Sequence, residues 1–258
     1  MRTRSDAARQ DLRDFLKDDV RLRVDFTATA QARGVPPPPL EKPFDPHARR
    51  IALPRRGEWK GIGEVSVAEA IARRESRRSF CRAALSLDEL AFLLWATQGV
   101  RERRGDACAL RTVPSAGARH AFETYVAAFD VEDVEPGVYR YLPLEHELLL
   151  EFADADGRRK VREAALGQDF AGDGAATFIW TAIPYRTEWR YGEASYKVIA
   201  IDAGHVCQNL YLACEAIGAG TCAIAAYDQD AMDAFLRIDG KEEFTAYVAP
   251  VGKVGRTA

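Results

Sequence analysis

The stretch spanning residues 199–227 constrains the fold of this chain more than any other. At helical spacing its first part is apolar on nearly all sides. One stripe consists of Ile199, Ala203, Val206, Leu210, Ala213 and Ile217, and the opposite side largely of Ile201, Gly204, Leu212 and Ala216. A helix without a broad polar face is typical of the middle of a domain. The pattern therefore predicts a central helix that is buried on all sides, with His205 as a hydrogen-bonded core residue rather than a metal ligand.

The end of this helix is marked by Gly218, which is suited to a left-handed cap. Gly220 and the apolar run 221–226 follow, and the run predicts a short buried strand. Small residues here allow a flat group to approach the backbone closely. This is the first indication of a cofactor.

Composition and charge exclude several classes of protein. A chain of 258 residues with 47% hydrophobic residues is long enough for a large core, and its net charge of −3 argues against nucleic acid as the main partner. The first 19 residues are polar, and no apolar window is long enough to span a bilayer, so no membrane partner is expected. Five cysteines without a CxxC pair favour a reducing, cytoplasmic location.

The order of predicted elements indicates an α+β domain over residues 51–258, preceded by an N-terminal helix and a proline-rich arm over residues 1–50. The arm contains a helix pattern at 5–18 and prolines at 36–39, and is either a linker or a strap around a neighbouring subunit. Capping-box serines at Ser66 and Ser86 begin two helices, the first ending near 73 and the second at 98. Further patterns predict strands at 124–129, 138–141, 147–152, 177–183 and 244–251, and helices at 158–166 and 230–236.

The connector between these two helices carries a candidate anion site. Arg74, Ser76 and Arg78 alternate, so in an extended segment they project to one side. Arginine forks pair bidentately with phosphate oxygens, which predicts a phosphate clamp. Solvated surface arginines are the alternative.

Three further segments offer either close backbone approach or positive charge, although each alone is a weak signal. They are the loop Pro114, Ser115 and Ala116, the small-residue run Ala223, Ile224, Ala225 and Ala226, and the C-terminal cations Lys253 and Arg256.

The order of six motifs is more specific than any one of them. They are Arg-x-Ser-x-Arg-x-Phe, Leu-Ser-Leu-Asp-Glu-Leu, Leu-Leu-Trp-Ala-Thr-Gln-Gly, Pro-Ser-Ala-Gly-Ala, Gly-Val-Tyr-Arg-Tyr and Gly-His-Val-Cys-Gln-Asn-Leu. Together they resemble the nitroreductase superfamily of FMN-dependent oxidoreductases, and within it the SagB-type dehydrogenases, relatives of azoline-oxidising enzymes. The resemblance covers residues 40–252. It implies a nitroreductase-like fold, with a mixed or antiparallel sheet flanked by helices around a buried central helix, in a homodimer that binds FMN at the subunit interface.

The resemblance also implies roles for individual residues. Arg74, Ser76 and Arg78 match the motif that holds the FMN phosphate and pyrimidine edge. Lys253 or Arg256 matches a cation at the phosphate, and Gln168 lies where a polar side chain often contacts the flavin. The other matching positions are Pro114, Ser115 and Ala116, which pack on the isoalloxazine from the other subunit, and Ala223, Ile224, Ala225 and Ala226, whose backbone passes its reactive nitrogen. The chain departs from the family pattern at Glu75, where a second arginine is expected, and at Ala225-Ala226, where glycine is more usual.

Tyr196 and Lys197, just ahead of the central helix, are the candidate catalytic residues. Azoline-oxidising relatives carry a tyrosine, often beside a lysine, in this region, and such a pair could remove a proton while hydride goes to the flavin. The alternative is that both residues only pack at the start of the helix. The four histidines show no metal-ligand spacing, so no metal is expected.

The resemblance does not identify the substrate. One alternative is an azoline peptide that the enzyme oxidises, and the other is a nitro compound or quinone that it reduces with NAD(P)H. Two interpretations without catalytic activity are alternatives to both of these enzymes. One is a non-enzymatic flavin-binding protein, and the second is an interaction module that has lost the cofactor.

Overall fold

A large antiparallel sheet runs through this structure, a computed structural model that describes residues 13–255. In chain order, the strands within those residues are β1 Arg50–Ala52, β2 Val100–Arg104, β3 Cys108–Arg111, β4 Phe122–Ala128, β5 Gly137–Leu142, β6 Glu147–Ala153, β7 Ala176–Ala182, β8 Ala219–Thr221 and β9 Phe244–Lys253. The main sheet has the order β1-β6-β5-β4-β7-β9-β8, and β2 pairs with β3 in a separate hairpin. Every pairing between named strands is antiparallel.

Helices cover both faces of the sheet. In the described residues they are α1 Val67–Arg73, α2 Leu87–Gln98, α3 Gly157–Ala164, α4 Tyr185–Tyr191, α5 Ser195–Ala216 and α6 Gln229–Leu236. One core lies between the sheet and α2 with α5, and a second between the sheet and α3 with α6. The predicted α+β architecture, a sheet flanked by helices with a long central helix, is confirmed.

The predicted ends of the first two helices have a clear physical basis. At the start of α2, the Ser86 hydroxyl accepts from the Glu89 amide at 3.2 Å and the Glu89 carboxylate accepts from the Ser86 amide at 3.0 Å, which completes the capping box. At the start of α1 only the serine half forms, because the Glu69 carboxylate pairs with Arg73 instead. Both helices end within one residue of the predicted position.

The prediction that the central helix is buried on all sides is wrong for the single chain. One face of α5 packs in the core, through residues such as Ile199 and Leu210. The opposite face is open, with Tyr196 50% and Ile201 48% exposed, and Gly204 exposed beside them. His205 is not a core residue either, since 44% of its side chain is exposed. The apolar composition of α5 indicates how much of its surface is suited to burial. It does not tell which of those residues other parts of the same chain cover.

The segment after α5 also differs from its prediction. Gly218 adopts the predicted left-handed conformation, with φ at +60°. The strand then comes earlier than predicted, at β8, and the segment 222–226 keeps only an isolated bridge between Ile224 and Val248. The space beside Gly220 is filled by the Arg77 side chain and not by a flat ligand. A Cβ at Gly220 would lie 2.5 Å from the Cγ of Arg77.

Part of the proline-rich arm packs on its own domain. The Trp189 indole N–H donates to the Val35 carbonyl at 2.9 Å, and the Gln31 amide donates to the Trp189 carbonyl at 2.8 Å. The Arg111 guanidinium donates to the Leu40 carbonyl at 2.9 Å. These hydrogen bonds hold residues 31–40 of the arm against the domain of the same chain. Of the predicted helix at 5–18, residues 5–12 lie outside the described part of the chain.

Candidate functional site

The connector after α1 runs extended beside β8. Ser76 forms a parallel bridge with Thr221, and the Arg77 amide donates to the Thr221 carbonyl at 2.9 Å. Alternate side chains of an extended segment point to opposite sides. Glu75 and Arg77 share one side, where they form an ion pair. Glu75 therefore lies on the side opposite to Arg74, Ser76 and Arg78.

Tyr211 of α5 contacts two of the three residues on the other side, Arg74 and Ser76. The Arg74 guanidinium lies 5.6 Å from the centroid of the Tyr211 ring, and the Ser76 hydroxyl is 3.0 Å from the Tyr211 hydroxyl. The same Tyr211 hydroxyl accepts a hydrogen bond from the Ala223 amide at 2.8 Å. One phenol thus joins the connector to the segment 223–226. Tyr211 was not among the site residues predicted from the sequence. The sequence feature that could have identified it is a phenol on a largely apolar helix.

A second link lies at the far end of the same segment. The Gln168 amide group donates to the Ala226 carbonyl at 2.7 Å and to the Ala165 carbonyl at 2.9 Å. Nearby in sequence, the ring centroid of Phe170 lies 5.6 Å from the Arg78 guanidinium. The three cofactor elements predicted from separate parts of the chain, namely the connector, Gln168 and segment 223–226, are therefore linked by short contacts.

Within segment 223–226 the side chains divide between core and surface. Ile224 is buried, and its amide and carbonyl bond to Val248 of β9. Ala225 and Ala226 are exposed. The bridge to β9 fixes this backbone, and the two small side chains leave its outer surface accessible to a ligand.

A cavity of about 510 Å³ opens beside this segment. Its lining residues are Phe122, Ala182, Pro184, Tyr196, Ile199, Ala200, Ala203, Gly204, Ala225, Tyr227, Phe244, Thr245, Ala246 and Tyr247. Acidic and basic side chains are absent from this lining. The cavity brings the candidate catalytic Tyr196 to the same space as Ala225, but Lys197 is not part of its wall.

The protonation of Tyr196 is affected by its surroundings. Partial burial, followed by the nearby carboxylates of Glu188 and Glu193, raises the pKa of the phenol. Tyr196 is therefore neutral near pH 7 and can donate a proton. As a base it would have to pass its own proton to Glu188.

The loop at Pro114, Ser115 and Ala116 is attached to α5. The Ala116 amide donates to the Asp202 carboxylate at 3.2 Å, and the Ser115 hydroxyl accepts from the His120 amide at 2.9 Å. Burial raises the pKa of Asp202, and its bonds to this loop oppose the rise. None of these contacts joins the loop to the connector or to segment 223–226 of the same chain.

Lys253 is already engaged inside the domain. Its ammonium group pairs with the Glu89 carboxylate and donates to the Ile217 carbonyl at 2.7 Å. Its predicted role at a phosphate stays a prediction, and Arg256 lies outside the described residues. Between residues 13 and 255 no group of three or more His, Cys, Asp and Glu side chains could hold a metal ion.

Residues 71–253 match the nitroreductase family. The chain belongs to that family. It is 34% identical over 192 residues to the nitroreductase-family protein MJ1384 of Methanocaldococcus jannaschii, and the match covers 74% of this chain and 93% of MJ1384. It is 35% identical over 113 residues to the trifolitoxin-processing protein TfxB of Rhizobium leguminosarum bv. trifolii, covering 42% of this chain and 30% of TfxB.

The fold agrees with that assignment to the nitroreductase family. A nitroreductase-family crystal structure from Ralstonia eutropha superposes with a TM-score of 0.66 at 25% identity, covering 85% of this chain and 99% of the other. The predicted nitroreductase-like fold is confirmed. No helix in the described part of this family member is both long and apolar enough to cross a membrane.

Proposed function

We propose that this protein is an FMN-dependent oxidoreductase of the SagB-type dehydrogenase branch, which transfers hydride through its flavin. The observation that carries the proposal is the linkage through Tyr211. This residue joins the cationic connector at Arg74 and Ser76 to the backbone at Ala223. The connector, which we propose binds the phosphate, and an accessible small-residue backbone are therefore held next to each other.

The residues present fit FMN in both parts of that molecule. Arg74, Ser76 and Arg78 supply two guanidinium groups and a hydroxyl for the phosphate, since charge-assisted bonds to phosphate oxygens are strong. The exposed alanines Ala225 and Ala226 leave room for a flat ring. When bound, FMN accepts hydride from one substrate and passes it to another. The protein holds the cofactor, excludes water and selects the substrate.

A homodimer would complete this site. The open apolar face of α5, around Ile201 and Gly204, is a surface that a second copy could cover. Pro114, Ser115 and Ala116 are attached to the same helix through Asp202. In the proposed dimer this loop packs on the flavin held by the partner subunit, as the resemblance implies. Lys253 or Arg256 remains the proposed additional cation at the phosphate.

The cavity favours an uncharged, flat substrate. Its wall offers aromatic rings and the tyrosines Tyr196 and Tyr247, without charged side chains. An azoline ring within a peptide has this character, and similarity to a trifolitoxin-processing protein supports a peptide substrate. In that reaction Tyr196 would accept the substrate proton while passing its own proton to Glu188, and bound FMN would supply the hydride acceptor. Lys197, outside the wall, would act on the substrate only after moving.

A stand-alone reductase that uses NAD(P)H on nitro compounds or quinones is the second candidate. The raised pKa of Tyr196 favours it, because a neutral phenol suits a proton donor in a reduction. The match to MJ1384 over nearly all of that protein also fits a single-domain enzyme.

Flavin binding is the first test of the proposal. The purified protein is expected to show bound-flavin absorption after incubation with FMN. Arg74→Ala should raise the Kd for FMN more than about tenfold, because a charge-assisted contact is lost. Arg73→Ala is the matched control, since Arg73 is exposed and pairs with Glu69. A colourless protein that ignores FMN would refute the proposal, and equal effects of the two substitutions would refute the clamp.

Electron donors separate the two candidates. NAD(P)H consumption by the FMN-loaded protein with a quinone alone indicates the stand-alone reductase. Turnover of an azoline peptide with no nicotinamide nucleotide, in the presence of dioxygen to reoxidise the flavin, indicates the SagB-type dehydrogenase. If the protein binds FMN but catalyses neither reaction, it is a non-enzymatic flavin-binding protein instead.

A further inference from the structure

A buried cluster of charges lies directly behind one wall of the cavity. Phe122, Ala182 and Phe244 are cross-strand neighbours on β4, β7 and β9, and all three line the cavity. Their sequence neighbours Glu123 and Thr181 face the opposite side of the sheet, because side chains alternate along a strand. On that opposite side lies the end of the proline-rich arm.

The arm enters this cluster through Lys42. The Lys42 ammonium donates to the Glu243 carboxylate at 2.6 Å and to the Tyr125 hydroxyl at 3.2 Å. The other oxygen of the Glu243 carboxylate accepts from the Thr181 hydroxyl at 2.7 Å. The Lys42 amide donates to Glu123 at 2.8 Å. Lys42 thus contacts β4 and the residue immediately before β9, and Glu243 links it to Thr181 of β7.

The wall at this point is irregular and needs support. The pairing of β7 with β9 shifts register between Trp180 and Thr181, where Trp180 faces Tyr247 and Thr181 faces Thr245. The intervening Ala246 is the extra residue of this β-bulge, and residues 244–247 all line the cavity. Glu243, immediately before them, has only 8% of its side chain exposed. The charge of Lys42 compensates this buried carboxylate, since a buried ion without a partner is strongly unfavourable.

We infer that Lys42 is a positioning residue for the cavity, with the Lys42–Glu243 pair holding the bulged segment 244–247 in the shape that receives the substrate. The arm would then be part of the substrate site without touching the substrate. The inference rests on the proposed function only in identifying the cavity as the place where the substrate binds. The bracing of the segment is a property of the protein alone.

Amide hydrogen exchange of the flavin-free protein tests the brace. Lys42→Met should speed exchange of the amides at 244–248 about tenfold, because the charge-assisted contact to Glu243 is lost. Amides at 138–150 in β5 and β6 should keep their wild-type rates, whereas a general loss of stability would speed both regions alike. Lys42→Arg should restore protection. Lys241→Met is the matched control, because Lys241 is exposed in the turn before Glu243.

Steady-state kinetics of the FMN-loaded protein supply the second readout. Lys42→Met should raise KM for the substrate several-fold with smaller changes in kcat and in FMN affinity. Unchanged exchange at 244–248, or equal acceleration in both regions, would overturn the inference. So would a wild-type KM in Lys42→Met. If no flavin binds to the wild-type protein, the proposed function fails while the exchange experiment still decides the brace.

Discussion

Replacing Glu123 by glutamine should destabilise this protein more than most single substitutions. Glu123 accepts hydrogen bonds from Arg186 and, at 3.4 Å, from Arg140. Side-chain exposure is 2% for Glu123 and 4% for Arg186. Burial by itself would raise the pKa of Glu123, but Arg186 and Arg140 hold it below its usual range. The carboxylate is therefore charged, and both arginines depend on that charge.

The magnitude follows from which charge is left without a partner. Arg140 keeps the Glu151 carboxylate at 2.7 Å, whereas Arg186 keeps, among residues 13–255, only the His120 carbonyl at 3.5 Å. Removing one member of a buried ion pair costs about 3–5 kcal/mol, because the remaining charge stays buried. With a urea slope of roughly 2–3 kcal/mol per molar, the unfolding midpoint should fall by about 1–2.5 M.

Urea denaturation followed by tryptophan fluorescence measures this midpoint. Glu135→Gln is the matched control, because Glu135 also pairs with an arginine, Arg49, but 62% of its side chain is exposed. Its midpoint should stay close to wild type, since solvent screens exposed ion pairs. Adding Arg186→Met to Glu123→Gln should recover part of the loss, as the unpartnered buried charge is removed. A Glu123→Gln midpoint within about 0.4 M of wild type would refute this account.

The site and its surroundings support three further predictions. Tyr196→Phe, with FMN still bound, should lower kcat about a hundredfold if the phenol transfers a proton, and unchanged turnover removes it from the mechanism. Burial, followed by the neighbouring carboxyl group of Glu145, raises the pKa of Glu41 to about 8. The folded state therefore binds this proton more tightly than the unfolded state, so the stability that Glu41 contributes is fully present below about pH 4.5 and is lost as pH rises through 8. Glu41→Gln should flatten this part of the pH–stability curve, and an unaltered curve contradicts the assignment. Ile201→Arg should convert the proposed dimer to a monomer in light scattering, whereas an unchanged mass would place the interface elsewhere.

Local patterns determined much of the secondary structure. The Ser86–Glu89 capping box, the extended connector at 74–80 and the alternating strands depend on residues only a few positions apart, so the sequence contains the whole interaction. The motif order was sufficient for the family, which the match over residues 71–253 then established. The connector's alternation also accounts for the position of Glu75, which pairs with Arg77 on the side away from Arg74 and Ser76.

Only the tertiary structure decided which side chains meet. Tyr211 lies 135 positions from Ser76 along the chain, and Lys42 lies 201 positions from Glu243. No local pattern encodes such pairs, because they form when strands and helices pack. The apolar α5 likewise revealed its capacity for burial but not its open face, since burial depends on which neighbours the fold supplies. Sequence thus determined the elements and the family, while packing determined how the site is assembled and braced.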